Sequence, residues 1–360
     1  MTRAVALTTA LMLAGSVQAA TAPAPLTALQ TLKQFNAVVL TNAKSESHID
    51  GRTWIGGSLT GHNSPVFDMH PGDTPASSYA GLTVMGVGVA SGANAVSDAQ
   101  VTDNGAVVYG NTSKLTINNG NSAIYGNTDS TNFNGSGSYY VTGTAGSGNK
   151  GVTKITASTY AGSVQETNSL AASSTNFASV LGGLSTQLKS LASTGSTVSI
   201  VGEQANFTAV VKDGVAVFDL TAIDTTLFSS AVKRFSFSGL GGATSVIFNT
   251  DVTSATLADD FLGGAAPNYG AKMIWNFYNA TSLTVNNQFG GSILATKAAL
   301  TNNQNIEGGV FVNSLDQHAE IHLKAYTGNI PAVPEPGTYA MLLAGLGLLG
   351  VISAREKHVK

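Results

Sequence analysis

Two short stretches sixteen positions apart, Val108-Tyr-Gly-Asn-Thr112 and Ile124-Tyr-Gly-Asn-Thr128, constrain the fold of this chain more than any other feature. Each is an apolar pulse closed by Gly and Asn, residues that tolerate positive φ and therefore suit turns. The same step from Tyr125 reaches Val141-Thr-Gly-Thr144, a weaker third copy. So short a unit cannot bury an apolar face alone, and its repetition points to stacked rungs, the pattern of a β-solenoid. A β-sandwich of ordinary hairpins is the rival architecture.

Composition agrees with many short strands. Charged residues make up 10% of the 360, against ~25% in an average soluble domain. Gly, Ser, Thr, Asn and Ala fill the difference, while Val, Leu and Ile recur throughout and mean hydropathy is positive. Disorder needs low hydrophobicity with high net charge, and the net charge here is only -3. So few clustered Lys and Arg exclude a nucleic-acid binder. There is no cysteine, hence no disulfide framework and no thiolate chemistry.

One helix stands out among the strand pulses. Phe177, Val180, Leu181, Leu184, Leu188 and Leu191 form a single stripe of 3.6-residue period. Ser173 or Ser174 suits its start and Gly195 its end. Such a helix buries its stripe against the solenoid wall. The expected fold is mainly β, a solenoid or β-helix-like domain with one long helix alongside and a single hydrophobic helix at the C-terminus. A proline-rich stretch over 62–79 reads as an irregular insertion.

Both ends carry export signals. Arg3 precedes an apolar stretch, and small residues follow it up to Ala19 and Ala20, the expected cleavage point of a signal peptide over 1–19. A leader over 20–28, a domain over 29–327 and a linker over 328–338 come next. The linker ends in Val333-Pro-Glu-Pro-Gly-Thr338, where Pro334 and Pro336 hold the chain extended around Glu335. An uncharged apolar run over 339–354 reads as a membrane helix, and Arg355, Lys357 and Lys360 stop it on the cytoplasmic side. This order resembles the PEP-CTERM sorting signal of Gram-negative bacteria. The resemblance implies cutting near Pro334-Glu335-Pro336 by an exosortase, a membrane transpeptidase-like protease; a plain C-terminal anchor is the alternative. The expected route is a transient inner-membrane stage, then the cell surface or extracellular matrix.

The body is similar to the choice-of-anchor A domain. Phe35-Asn-Ala-Val-Val-Leu40, Ile49-Asp-Gly-Arg52 and Ile55-Gly-Gly-Ser58 look like its opening. Trp275-Asn276-Phe277, Ala280-Thr-Ser-Leu283, Gly291-Ser-Ile-Leu-Ala295 and Ile306-Glu-Gly308 look like its second half, and Glu320 and His322 stand where the family carries an acid and a histidine. Thr296 departs from the proline frequent there. The resemblance implies a surface or secreted protein and a β-helix with a long helix beside it.

Candidate chemistry is sparse. Asp316, His318, Glu320 and His322 alternate with Gln317, Ala319, Ile321 and Leu323, which on one strand places two carboxylates and two imidazoles on one face. Such a face binds a divalent ion, or is simply a wetted end strand in which Glu320 and His322 pair. His62, Asp68 and His70 form a second loose group, and Trp54 and Trp275 are either sugar platforms or core. No catalytic motif is found, so neither a catalytic residue, a metal nor a cofactor is assigned. The leading expectation is a non-enzymatic surface or matrix protein that holds exopolysaccharide or a surface glycan on a flat Thr/Ser/Asn face. An ice-binding protein and a glycan-active enzyme using Glu320 or His322 are the alternatives. The first needs a flat array of threonines, of which Thr142-Gly-Thr144 is an isolated instance.

Overall fold

The computed structural model describes residues 19–73, 75–145 and 152–331. Parallel strands stack in register along three faces, as the repeat predicts. The first face runs from its upper end through Ser138–Val141, Ser122–Ile124, Ala106–Val108, Leu82–Val84, Thr53–Ile55 and Ala37–Val39. It continues through the beginnings of Val310–Gln317 and Ser292–Asn302, then Met273–Phe277, Ser245–Thr250 and Val215–Asp219. The chain thus starts in the middle of the stack and climbs to the upper end. It then crosses to the lower end and returns until its last rung docks beneath its first, with Ala37 opposite Val310.

The repeat is one rung. Ile124 lies over Val108 and Thr128 over Thr112, while Val141 pairs with Ile124, so the third copy is offset by one residue from the constant step. The glycine of the repeat serves close stacking: a Cβ at Gly126 would lie 2.4 Å from the Gly110 carbonyl. Its asparagine serves the ladder, because Asn111 Oδ1 accepts the Asn127 N–H at 2.8 Å and Asn127 Oδ1 accepts that of Thr144 at 2.8 Å. Positive φ is not the reason for Asn here.

Helices cover the first face, so its outward side chains are buried too. Helix α1 (Ala28–Gln34) is capped by Thr27, starts at the last residue of the expected leader and precedes the strand Ala37–Val39. After a single turn, α2 (Ala157–Tyr160), α3 (Val164–Ser174) and α4 (Phe177–Lys189) follow. The helix expected from the stripe is α4, started by Asn176, whose side chain accepts the Ser179 N–H, and α3 precedes it as a second helix that the stripe does not announce. Ser173 and Ser174 end α3 rather than cap α4. Phe177, Leu181, Leu184 and Leu188 pack on Val38, Ile247, Ile274, Leu294 and Phe311. Helix α3 rests on Tyr109, stacked 4.6 Å from Tyr125, with Tyr109 Oη donating to the Ser169 carbonyl at 2.9 Å.

The chain beyond the last rung stays on the domain. Tyr326 is buried with its hydroxyl 2.7 Å from Ser245 Oγ, the Thr327 N–H donates to the Ala271 carbonyl at 2.9 Å, and Gln187 Nε2 donates to the Pro331 carbonyl at 2.8 Å. Residues 328–331 are therefore part of the domain surface and not of a free linker. Most of the signal peptide, the Pro334-Glu335-Pro336 motif, the apolar run and the basic end lie outside the described residues. Among the described residues no helix is long and apolar enough to cross a membrane.

Candidate functional site

Among the described residues no helix lies on the second face. Its strands alternate a buried Leu, Val or Ala with an outward polar residue, as period-two geometry requires. Register sets the outward residues in one column: Thr256, Thr284, Thr301, Asp316, Lys44, Thr60, Ser97, Ser113 and Asp129. At 4.7–4.9 Å per strand, the column is about 38 Å long. A second column sets Ser254, Ser282, Ala299 and Ser314 beside the lower half of the first. Thr256, Lys44, Thr60 and Asp129 are exposed and the rest of the first column half-buried.

Charge interrupts the hydroxyl column at its centre, where the first and last rungs meet. Asp316 Oδ1 lies 3.5 Å from His318 Nε2, whose other nitrogen is 3.2 Å from Glu46 Oε2. Among the described residues no carboxylate lies within 4.0 Å of the Lys44 ammonium. A shallow cavity of about 300 Å3 opens beside them over Ala43, Leu300 and Leu315.

Sequence reasoning missed this array, and Thr142-Gly-Thr144 is no part of it. A signal was available: Ser254-Ala-Thr-Leu257, Ser282-Leu-Thr-Val285, Ala299-Leu-Thr-Asn302 and Ser314-Leu-Asp-Gln317 are four copies of one small-apolar-polar alternation. Their spacings of 28, 17 and 15 residues hide them from a search at fixed period.

The third face holds the second candidate. His322 Nδ1 lies 2.7 Å from Glu307 Oε1 on the neighbouring rung, and Nε2 lies 2.8 Å from Glu320 Oε2. Gln288 also donates to Glu307 Oε1, at 2.8 Å. Asp50, from the first rung, accepts the Leu323 N–H at 3.0 Å and faces His70 at 3.7 Å. Asp50, His70, Glu307, Glu320, His322 and Leu323 line a cavity of about 370 Å3. Burial pulls the His322 pKa down, but hydrogen bonds to Glu320 and Glu307 and the charges of Glu307 and Asp50 outweigh it and raise the value. An imidazolium donating from both nitrogens keeps no lone pair for a metal. Among the described residues no group of three His, Cys, Asp or Glu side chains is placed to hold one.

Asp316, His318, Glu320 and His322 do not share a face. The strand ends at Gln317 and the chain turns a corner, so the first two border the second face and the last two enter the third. The loose group over 62–79 separates similarly. Asp68 is buried and accepts from Asn104 Nδ2 at 2.6 Å, His70 faces Asp50, and His62 is exposed.

The aromatic candidates are structural. Trp275 is fully buried, stacked 3.9 Å from Phe248, with Nε1 donating to the Gly290 carbonyl at 2.9 Å. Trp54 packs on Phe177 and donates to the Ala172 carbonyl at 3.0 Å. Asn276 clamps α4 to the first face: Nδ2 donates to the Ser185 carbonyl at 2.9 Å and to Asn249 Oδ1 at 2.8 Å, and Oδ1 accepts from Ser185 Oγ at 2.7 Å. Phe277 packs in the core beside Phe228. Ala20, at the expected signal cleavage point, donates its N–H to Glu166 Oε2 at 3.2 Å.

Asp259 was not anticipated either. It is buried with Oδ1 unpartnered, and loss of hydration raises its pKa to about 7, against the opposing charge of Lys233.

The model of an ice-binding-like adhesive domain matches residues 28–323, and that of the PEP-CTERM protein-sorting motif matches residues 332–357. Neither a search of curated proteins nor one of solved structures returned a match.

Proposed function

Because this chain belongs to the ice-binding-like adhesive domain family and is an exported surface protein by its sorting motif, we propose that its second face holds exopolysaccharide at the cell surface or in the matrix. Within the family we place it with the choice-of-anchor A domains. It passes the inner membrane, is held there by the apolar run over 339–354, and is cut by an exosortase near Pro334-Glu335-Pro336. It acts by binding, with no catalytic step.

The observation that carries this reading is the helix-free second face, about 38 Å of hydroxyls in register with charge only at its centre and upper end. Each Thr or Ser offers one donor and two acceptors to a polyhydroxylated chain. Single contacts of this kind are weak, and repetition supplies the strength. Glu320 and Glu307 are both engaged by His322, which favours a structural role for them over acid-base work on a glycan.

The test is retention of the purified protein on exopolysaccharide from its host. Thr284→Arg and Thr60→Arg are expected to lose most of the retention while unfolding like the wild type. Undiminished retention in both variants refutes the assignment of this face. Intact masses of host fractions test the processing: a species ending near Pro334 in the matrix is expected, and an uncut chain confined to the inner membrane counts against it.

The column of Thr256, Thr284 and Thr301 also supports a second reading, ice binding. The Asp316 and Lys44 break argues against it, since an ordered water layer needs an uninterrupted array. Thermal hysteresis by the purified protein would establish that reading instead.

A further inference from the structure

We infer that the strand Thr197–Val201 is a docking edge for a second copy of this chain, paired antiparallel with its counterpart about a two-fold axis at Ser199.

At the lower end of the third face the strands Asp260–Phe261, Arg234–Ser238 and Gln204–Thr208 stack in parallel. Thr197–Val201 closes this stack by folding back antiparallel on Gln204–Thr208. The two-residue loop Gly202-Glu203 makes Val201 and Gln204 a hydrogen-bonded pair. Alternation then commits the backbone groups of Thr197, Ser199 and Val201 to the hairpin and turns those of Val198 and Ile200 outward. Among the described residues nothing pairs with this outer edge.

Other edges at the ends of the stack are closed by the chain itself. On the first face the outward groups of Val215–Asp219 are met in turn. Lys212 exchanges backbone hydrogen bonds with Val215 at 2.9 Å, and the buried Thr194 Oγ1 accepts the Val217 N–H at 3.1 Å. At the upper end the outermost strand is Thr153–Lys154, guarded by its shortness and its exposed lysine. Thr197-Val-Ser-Ile-Val201 has no such guard. Its register is unbroken, it carries no charge and no proline, and Val201 is 69% exposed. An edge of this kind is a template for an added strand.

The edge is complementary to itself. Antiparallel pairing centred on Ser199 overlaps the whole strand and sets Val198 opposite Ile200 of the second copy. Both belong to the outward set, so every free N–H and C=O of the strand is met. Val198 and Ile200 pack against the core on the inner side, and pairing brings them beside their counterparts as one apolar strip. On the outer side, exposed Val201 lies opposite Thr197. Beyond the strand, Glu203 falls opposite Gly195 and Gly202 opposite Ser196, so no charge faces a like charge. The contact is small, which suits copies held close together on one surface.

The experiment places cysteines in a chain that has none. The full chain is expressed in its host, intact cells are treated with a thiol oxidant, and products are resolved on a non-reducing gel. Ser199→Cys should give a disulfide dimer, because directly opposed residues of a non-hydrogen-bonded pair lie about 4.5 Å apart, within disulfide reach. Val201→Cys should not, because its counterpart is four residues along the strand, about 14 Å away. The double variant Thr197→Cys/Val201→Cys should cross-link again, and adding Ser199→Lys to it should lower the yield about threefold to tenfold by opposing two ammoniums. Thr197, Ser199 and Val201 are all exposed, so the variants should unfold in urea like the wild type. No dimer in any variant overturns the inference. So does equal cross-linking of Ser199→Cys and Val201→Cys, which marks chance collision, or a disulfide to another protein in place of the dimer.

Discussion

Replacing Asn276 should loosen the helical cover of the whole first face. Asn276→Ala removes three hydrogen bonds at a position with no solvent access. Two losses are partly recoverable: the Ser185 carbonyl keeps its place in α4, and Ser185 Oγ can turn back to the helix backbone. Asn249 Oδ1 has no such escape, because its amide nitrogen stays bound to the Leu188 carbonyl at 2.8 Å. One orphaned buried acceptor costs ~1–3 kcal/mol and each recoverable bond ~0.5–1.5 kcal/mol. With the small cavity left by truncation, the expected loss is about 3–4 kcal/mol. Equilibrium urea unfolding of the purified protein measures it as a shift in midpoint at constant slope. The double variant Asn249→Leu/Asn276→Leu, which removes the polar pair together, should cost clearly less than the sum of its singles. A loss under about 1 kcal/mol for Asn276→Ala, or additivity in the double variant, would show that Asn276 is not the clamp.

Three further outcomes are expected. A histidine pKa raised on folding means that the stability contributed by the Glu307-His322-Glu320 triad is fully present below the unfolded value of 6.5 and is lost as pH rises through the higher folded value. Melting temperature should therefore fall more as pH rises above 6.5 in wild type than in His322→Gln, and parallel profiles would remove the triad from the account. For Asp259, an acid with a raised pKa, the folded state binds the proton more tightly, so its contribution declines from about pH 4 to about pH 7. Asp259→Asn should stabilise the protein by ~1–3 kcal/mol at pH 8 and much less at pH 4; equal effects at both would locate the penalty elsewhere. Gly126→Ala should destabilise the upper rungs although its φ is ordinary, because its Cβ meets the Gly110 backbone at 2.4 Å; an unchanged urea midpoint would mean that the turn yields freely.

How much was legible in the sequence depended on rung length. Where a rung takes sixteen residues, as between Val108 and Ile124, the repeat shows and the parallel stack follows from it. Below the seam Val215 pairs with Ser245 and Val246 with Met273, rungs long enough to hold helical turns and strands of the third face, so no fixed step exists to find. The stripe from Phe177 to Leu188 announced a helix on the wall, but a hydrophobic stripe does not fix where the helix starts, which the side-chain cap of Asn176 decides in place of Ser173 or Ser174. The alternation from Asp316 to Leu323 predicted a single strand because the corner after Gln317 contains no Gly or Pro to mark it. The hydroxyl column was hidden for a different reason: it is a property of register between segments, and register is set by which rungs become neighbours.

The meeting of the first rung with the last has a consequence for what can be done to this chain. In an ordinary solenoid the termini are the ends of the stack, so trimming either one shortens the protein and leaves a smaller version of it. Here the ends of the stack are mid-chain, and both outermost segments of the domain lie at its waist. A chain that stops before Val310 leaves the 37–39 strand with a bare parallel edge in the centre of the molecule, a template for pairing with another chain. The pairing that covers that edge joins residues about 270 positions apart, so it is among the last contacts the emerging chain can make. Truncation from either side should thus be all or nothing. Circular permutation that joins the waist and opens the chain at either extremity should instead be tolerated, because it cuts the protein where it already ends.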